Sequence, residues 1–381
     1  MRTVTIGIPC YKAQKTIDRL LASILMQTYD KSAMQIVLAN DNEGDDHAYD
    51  YLHERFPELN ISVLACEKNG GPGIARQRCL DVCTTDFITF CDADDTLHDS
   101  LVIERLVSQF KDEFTIEVFA PFMQFTDKTD PRNGLRIIVP QKNPGHPWVF
   151  GRMFKVSFLK ENGIRFPDKL RAMEDACFNW QIRMLTEGTQ FKTTYINDMI
   201  TYDWMPGSEH SITRIGTVKN IPQYNFDLCR VGAILAAEYA INYVKSKNPF
   251  SPNIMKFATE QFVNCYFMCV ECKGKRDEFI DQCFYLSRYF YNKVFKPYEQ
   301  LVNQQALDQM YTQMMVQRAG DLVGVIPYVT FYDWLKEVKE LDSSFDVKDI
   351  VEIRSRLSQE IIDNDIASGV MDASCNLFIE G

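Results

Sequence analysis

Residues 85–95 read TDFITFCDADD, a short apolar run that ends directly in three carboxylates. The run at 87–91 has the β-rich composition of a buried strand. Ligands of open parallel sheets bind beyond the carboxyl ends of the strands. The side chains of Asp92, Asp94 and Asp95 would repel one another at neutral pH unless a cation or hydrogen bonds offset the repulsion. The stretch therefore predicts a site for Mg²⁺ or Mn²⁺ that bridges to substrate phosphates.

The same acidic stretch has a purely structural alternative. Asp95 or Thr96 is also suited to cap the helix that follows, because short polar side chains accept hydrogen bonds from the first backbone amides of a helix. A DxD triplet by itself does not separate the two interpretations. Its position directly after a strand favours the metal, since Asp92 and Asp94 then point the same way on extended backbone.

The residues before this stretch alternate between β-rich runs and helical periods. Apolar residues recur at i, i+3, i+4 and i+7 from Ile17, which indicates one face of an amphipathic helix, and Pro72 stands where another helix would begin. We predict strands over 3–9, 35–39, 61–65 and 87–91, and helices over 17–25, 45–56, 72–82 and 101–110. This alternation predicts a mostly parallel sheet with helices on both faces.

The pattern changes twice after residue 110. Residues 127–147 indicate loops around one strand near 135–139, and further elements of the same domain are predicted at 148–160, 174–185 and 190–204. From about Lys219 long helical periods dominate, at 228–244, 255–272 and 279–290. We therefore predict a separate helical unit in the C-terminal part.

Composition limits the class of protein. The chain has 381 residues, of which 46% are hydrophobic and 24% charged, so it has the composition of a globular protein. A net charge of −11 gives no general attraction to nucleic acid or to an anionic membrane. No apolar run is long enough to predict a membrane span, and the first residues predict a strand and not a signal peptide.

The twelve cysteines form no disulfide-like framework, which predicts reduced thiols and a cytoplasmic location. Cys265, Cys269 and Cys272 have a spacing that superficially matches an iron–sulfur site. The spacing i, i+4, i+7 is also one face of a helix, and the neighbouring residues are apolar. We therefore predict a buried helical stripe.

Five motifs occur in a fixed order along the chain: TIGIPCYK at 5–12, QIVLANDNEGDD at 35–46, NGGPGIAR at 69–76, TDFITFCDADD at 85–95 and MED at 173–175. This ordered set resembles the family 2 inverting glycosyltransferases of GT-A fold, over roughly residues 3–215. The resemblance implies an α/β fold with a GT-A type, mostly parallel sheet flanked by helices. It implies a nucleotide-sugar-binding catalytic domain at 1–215, followed by the helical unit at 216–381.

The resemblance also implies roles for single residues. The nucleotide-sugar donor would be contacted by Pro9, Tyr11, Asp41, Arg76, Asp92 and Ala93, the metal and diphosphate by Asp94, and Asp175 would be the general base. The chain departs from the family at Asn40-Asp41, where two adjacent Asp are common. This departure leaves open which nucleobase the donor carries and which contact Asp41 makes with it. His210 is a candidate for a third metal ligand or a phosphate contact, and its alternative is an ordinary loop histidine.

Several of these residues have simpler alternatives. Asp175 would also stabilise a helix N-terminus as a first-turn carboxylate, and Arg76 would fit an exposed helix face. Trp148, Tyr202 and Trp204 would suit an acceptor platform, although aromatic side chains more often pack in a core.

Three other classes of protein fit the sequence less well. A nucleotidyltransferase would need a dense glycine-rich loop after the first strand, where the chain has Pro9-Cys10-Tyr11-Lys12. An NAD-dependent dehydrogenase would need GxGxxG there. A non-catalytic nucleotide-sugar-binding protein is disfavoured by the intact Asp92, Asp94 and Asp175.

The sequence thus predicts an inverting, metal-dependent glycosyltransferase that uses a nucleotide-diphosphate sugar, with a UDP-sugar as the default donor. The expected acceptor is a hydroxyl group, such as that of a glycan, with a modified nucleic-acid base as the alternative. The helical unit is expected to shape acceptor binding, to form a homodimer, or both.

Overall fold

The computed structural model describes residues 1–143, 145–205, 226–249, 251–272, 279–318 and 330–340. The described residues up to 205 belong to one compact unit, and those from 226 belong to a second. The predicted boundary between 215 and 216 lies outside the described residues, so it stays a prediction.

The first unit contains two sheets. The strands of the larger sheet are β1 (Val4–Cys10), β2 (Met34–Asn40), β3 (Ile61–Leu64), β4 (Phe87–Phe90), β6 (Thr115–Phe119), β9 (Arg152–Lys155) and β10 (Lys192–Tyr195). Those of the smaller sheet are β5 (Thr96–Leu97), β7 (Phe122–Thr129), β8 (Arg136–Gln141) and β11 (Tyr202–Trp204). The larger sheet has the order β10-β6-β9-β4-β1-β2-β3, and the smaller one β5-β11-β7-β8.

Helices cover both faces of the larger sheet, as predicted. They are α1 (Ile17–Leu25), α2 (Leu52–Arg55), α3 (Gly71–Val82), α4 (Val102–Ser108), α5 (Val156–Glu161) and α6 (Glu174–Thr186). Ile6 and Ile8 of β1 belong to one core cluster, with α1 and α4. Val37 of β2 and Phe90 of β4 belong to the other, with α3 and α6. Residues buried on both faces of a strand are what a parallel sheet between two helix layers requires.

The close approach of α3 to the sheet depends on a glycine in β1. A Cβ atom at Gly7 would lie 3.0 Å from Cβ of Cys79 and 3.0 Å from a ring carbon of Phe90. Because Gly7 carries no side chain, α3 packs directly on β1 and β4, which fixes the position of its first turn relative to the strand ends.

The structure departs from the predicted pattern in two places. The larger sheet is mostly parallel, but β9 runs antiparallel to both neighbours, β4 and β6. The helix predicted over 45–56 is confined to α2, and turns occupy the preceding residues. These turns form because the Asn40 side chain donates to the Asp45 carbonyl oxygen and the His47 ring pairs with Asp50, which are local bonds that compete with a helix.

The second unit is helical in its described part, as the periodicity predicted. Its longer helices are Gly232–Lys247, Pro252–Cys272, Ile280–Phe290, Gln304–Gln317 and Phe331–Glu340. Cys265, Cys269 and Cys272 lie buried along Pro252–Cys272, which confirms the helical stripe. All eleven cysteines of the described part are free thiols. Within the described ranges, no helix has the length and apolarity needed to cross a membrane.

Candidate active site

Three parallel strands end at one edge of the larger sheet. Pro9 of β1 stands opposite Ala39 of β2, and the Cys91 amide after β4 donates to the Gly7 carbonyl oxygen at 3.1 Å. The residues that follow β1, β2 and β4 therefore emerge side by side. The fold brings three of the predicted donor-binding segments, those with Tyr11, Asp41 and Asp92, to this edge, which is where ligands bind in such sheets.

Pro9 and Tyr11 lie at the end of β1, and both side chains are half-buried. The next residue, Lys12, has a left-handed backbone with φ of 48°. Its amide donates to Oδ1 of Asn42 at 2.7 Å, and its ammonium lies 5.2 Å from the centre of the Tyr11 ring. A left-handed non-glycine residue is uncommon, and here it turns the chain after β1 towards the residues that follow β2.

Asp41 organises the glycine turn that starts α3. Its two carboxylate oxygens accept the backbone amides of Gly70 at 3.0 Å and Gly71 at 2.8 Å. Gly71 has φ of +79°, a left-handed conformation that glycine adopts without a steric cost. Burial outweighs these two hydrogen bonds and raises the pKa of Asp41. The sequence predicted a ligand contact for Asp41, and the structure adds this bracing role.

Arg76 joins three carboxylates from distant parts of the chain. Its Nη2 donates to Oδ1 of Asp92 at 2.6 Å, and its Nη1 donates to Oε1 of Glu174 at 2.7 Å and to Oδ1 of Asp175 at 2.8 Å. The Arg76 side chain is only 4% exposed. The interpretation of Arg76 as an exposed helix residue is therefore wrong, and the predicted donor carboxylate and the predicted base share one guanidinium.

The start of α6 places Glu174 and Asp175 in this cluster. Met173, directly before the helix, is left-handed with φ of 62°, and it turns the chain into α6. The second oxygen of Asp175, Oδ2, accepts the backbone amide of Val149 at 3.1 Å. Burial raises the pKa of Asp175, although Arg76 opposes this shift. Burial and the Asp175 charge also raise the pKa of Glu174 to about 8. Glu174 adjoins Asp175 in the MED motif, but its sequence position alone predicts no role for it.

Asp95 has a structural role that differs from a helix cap. It is 1% exposed, and its carboxylate accepts the Tyr202 hydroxyl at 2.8 Å and the Met205 amide at 2.7 Å. The Tyr202 hydroxyl in turn accepts the Asp92 amide at 2.8 Å. Burial, followed by the charges of Asp94 and Asp92, raises the pKa of Asp95 well above its ordinary value. Asp95 thus ties the DADD turn to β11, and the capping alternative is wrong.

The DADD turn offers hard oxygen donors but no complete metal cage. Ala93 between the two predicted ligand-binding carboxylates is buried, and the Asp94 carbonyl oxygen accepts the Arg19 guanidinium. In the part of the chain that the structure describes, no three His, Cys, Asp or Glu side chains form a metal-binding group. His210 lies outside the described residues. One carboxylate fits Mg²⁺ or Mn²⁺ when substrate phosphates and water supply the other ligands.

Aromatic side chains lie next to the Asp175 end of the site. The Trp148 and Trp204 rings are half-buried and lie 5.8 Å apart, and the Asn179 amide donates to the Trp148 carbonyl oxygen at 3.2 Å. Tyr202 is fully buried, with its hydroxyl used by Asp95 and Asp92. Of the three aromatic residues considered for an acceptor platform, the structure thus keeps Tyr202 in the core.

Residues 5–178 match the family model described as Glycosyl transferase family 2. A 185-residue segment is 25% identical to the poly(ribitol-phosphate) beta-N-acetylglucosaminyltransferase TarS of Staphylococcus aureus, covering 47% of this chain and 32% of TarS. A 238-residue segment is 24% identical to the poly(ribitol-phosphate) beta-glucosyltransferase of Bacillus spizizenii, covering 58% and 35%. The matched segments thus span about a third of the length of these two relatives.

The fold has a counterpart among solved structures. The crystal structure of residues 1–349 of S. aureus TarS in complex with UDP-GlcNAc superposes with a TM-score of 0.51 at 17% identity, covering 84% of this chain and 92% of that one. This likeness confirms the predicted GT-A fold class. The match of the family model covers the segment that holds all five motifs, and residues 5–178 therefore belong to glycosyltransferase family 2.

Proposed function

We propose that the protein is an inverting glycosyltransferase that uses a nucleotide-diphosphate sugar, with UDP as the nucleotide. The observation that carries this proposal is the Arg76 cluster, in which Asp92 and Asp175 bind the same guanidinium at 2.6 and 2.8 Å. A donor-binding carboxylate and a base held this close to each other suit a reaction at the anomeric carbon between donor and acceptor. The relatives' names, which all describe sugar transfer, support the same class of reaction.

Asp175 would act as the general base. Its carboxylate takes the proton of an acceptor hydroxyl while that oxygen forms a bond to the anomeric carbon, and the bond from this carbon to the diphosphate oxygen breaks. The Val149 amide and Arg76 hold one oxygen each of the Asp175 carboxylate. This fixed orientation is what an attack from the side opposite the leaving group requires.

Asp94 would hold a divalent cation, Mn²⁺ or Mg²⁺, against the donor diphosphate, with His210 as a further candidate ligand. When bound, the cation would neutralise negative charge on the departing diphosphate. Pro9, Tyr11 and Asp41 would surround the nucleotide, and Ala93 would let the sugar diphosphate approach the backbone of the DADD turn.

For the acceptor we propose a hydroxyl group of a glycan or of a polyol phosphate chain. The second possibility rests on the names of the two relatives, which transfer sugars to poly(ribitol phosphate). We also propose that residues 1–215 bind the donor and that residues 216–381 contribute to acceptor binding or to a homodimer.

Thermal unfolding with a panel of nucleoside diphosphates, with and without Mn²⁺, tests the donor site. A ligand that binds the folded state raises the melting temperature by mass action. We expect UDP to give the largest shift, the shift to need Mn²⁺, and Asp94→Ala to abolish it. Asp127→Ala, which removes an exposed carboxylate on β7, is the matched control and should behave like the wild type.

The outcomes separate the parts of the proposal. A larger shift with another diphosphate would show that the donor carries that nucleotide and not UDP. An equal shift without Mn²⁺ would show that nucleotide binding does not need the metal. If no diphosphate stabilises the folded wild type, the proposed donor site and the proposed transfer reaction are both wrong.

A further inference from the structure

The Arg76 cluster holds more negative than positive charge in a buried place. One guanidinium faces three carboxylates, and the exposed fractions of the side chains are 4% for Arg76, 9% for Glu174, 12% for Asp175 and 29% for Asp92. With all groups ionised the cluster would carry two uncompensated negative charges. Burying uncompensated charge is costly, and a group in this situation is usually neutralised by taking up a proton.

The three carboxylates are not equivalent as places for that proton. Asp92 is the most exposed, so water stabilises its charge. Asp175 accepts the Val149 amide in addition to Arg76, and hydrogen bonds of this kind favour the ionised form. Glu174 is the most buried of the three and adjoins Asp175 in the chain. The proton is therefore least costly on Glu174.

Packing keeps Glu174 in this position. A Cβ atom at Gly73 would lie 3.0 Å from Cγ and 3.1 Å from Cβ of Glu174. The first turn of α3 thus rests directly on the Glu174 stem. The backbone of α3 therefore limits movement of the Glu174 side chain on that side.

We propose that Glu174 is a positioning residue that carries a proton in the folded protein and, as a neutral acid, holds Arg76 between Asp92 and Asp175. The carbonyl oxygen of the neutral acid still accepts Nη1 of Arg76. The positive charge of Arg76 is then left to Asp92 and Asp175, so Asp175 stays ionised and able to accept a proton. This role in catalysis rests on the proposed function, whereas the protonation of Glu174 does not.

The charged and titratable groups around Glu174 agree with this assignment. Burial and the Asp175 charge raise the pKa of Glu174 to about 8, although Arg76 of α3 and a hydrogen bond from the Glu174 backbone amide oppose this shift. Asp92 lies on the far side of the guanidinium, and the thiol of Cys177 on α6 has its own pKa raised by burial and by Glu174. Arg152 is a second cation near the cluster: it lowers the pKa of Asp175, whereas Arg76 is the cation that acts most on Glu174. Arg152 therefore helps to keep Asp175 ionised and does not move the proton away from Glu174.

The pH dependence of unfolding tests the protonation without any need for activity. Between pH values of about 4.5 and 8 the folded protein keeps a proton that the unfolded chain releases. Stability therefore falls as pH rises, and the unfolding equilibrium constant of the wild type should rise by up to about tenfold per pH unit relative to Glu174→Gln. Glu161→Gln at the exposed end of α5 is the control and should follow the wild type.

Two results would overturn the protonation. One is equal pH dependence of the wild type and Glu174→Gln across this window. The other is a Glu174→Gln protein that is much less stable than the wild type at pH 7, because loss of a buried ionised partner from Arg76 would have that effect.

Turnover measurements test the positioning role. Glu174→Gln keeps the acceptor oxygen, so we expect kcat within about threefold of the wild type, whereas Glu174→Ala should lower kcat about tenfold or more with little change in the KM of the donor. Equal losses in both variants would overturn positioning through the retained oxygen. If no variant or wild type transfers sugar, the proposed function has failed, while the unfolding data still decide the protonation of Glu174.

Discussion

Arg76→Lys should destabilise the first unit strongly although it conserves the charge. Lysine carries one ammonium group and cannot reproduce the two guanidinium nitrogens that contact Asp92, Glu174 and Asp175 at 2.6 to 2.8 Å. Losing one charge-assisted hydrogen bond costs about 1.5–3 kcal/mol, and a carboxylate is left buried. We therefore expect a loss of about 2–4 kcal/mol in the free energy of unfolding, which is below the roughly 3–5 kcal/mol of a fully broken buried pair because lysine keeps the positive charge.

The measurement is urea unfolding at pH 7, with thermal unfolding as a second probe. The expected loss corresponds to a decrease in melting temperature of roughly 5–15 °C for a unit of this size. Arg132→Lys is the matched control, because Arg132 also bridges a carboxylate, that of Asp130, but is 86% exposed. It should show no measurable change, since exposed ion pairs contribute little. A change for Arg76→Lys as small as that of the control would refute the argument that this cluster stabilises the fold.

Three further predictions concern the same unit. Asp175→Asn should lower kcat by about 10²–10⁴-fold through loss of the base, with UDP-induced stabilisation retained, as measured by turnover and thermal shift. Tyr202→Phe should cost about 1–3 kcal/mol in urea unfolding, because its hydroxyl donates to Asp95 and accepts the Asp92 amide. Burial lowers the pKa of His146 to about 3, so the folded protein lacks a proton that the unfolded chain binds below about pH 6.5 and loses stability as pH falls. His146→Phe should therefore reduce the loss of stability between pH 7 and about 4.5, measured by urea unfolding at both values.

Each of these has a result that would contradict it. Nearly normal turnover of Asp175→Asn would show that Asp175 is not the general base. Loss of UDP binding in this variant would point to a structural defect. Wild-type stability of Tyr202→Phe would mean that the hydroxyl adds nothing to the link between β11 and the DADD turn. An unchanged acid response of His146→Phe would assign that response to other groups.

Strands and helices were predicted correctly where nearby residues in the sequence carry the signal. β1 to β4, α1 and α3 lie close to their predicted bounds, because apolar periodicity and the Pro and Gly residues at their ends agree. The direction of β9 was not predictable, since its pairing with β4 and β6 depends on how the chain returns to the sheet and not on its own four residues. The helix predicted in the acidic stretch after β2 was largely wrong, because side chains of that stretch form local hydrogen bonds in turns.

The sequence predicted which residues of the candidate site lie at strand ends. Only the structure shows which of these side chains bind one another. Asp41, Asp92 and Asp175 were chosen from motifs, but no pattern in the sequence indicates that Arg76 is buried. Its environment comes from residues 16, 98 and 99 positions away. No role was predicted for Glu174 for the same reason: it meets Arg76 only when α3 and α6 pack together.

The wide sequence separation within the Arg76 cluster also bears on the order of events in folding. Contacts between residues about a hundred positions apart form only after the intervening chain has been ordered, because closing a long loop costs entropy before the contact stabilises it. α3 and α6 must therefore both be in place before Arg76 meets Glu174 and Asp175. We infer that this cluster forms late, so that its loss accelerates unfolding far more than it slows refolding. The residues that we propose for catalysis would then be among the last to form their contacts as the domain folds.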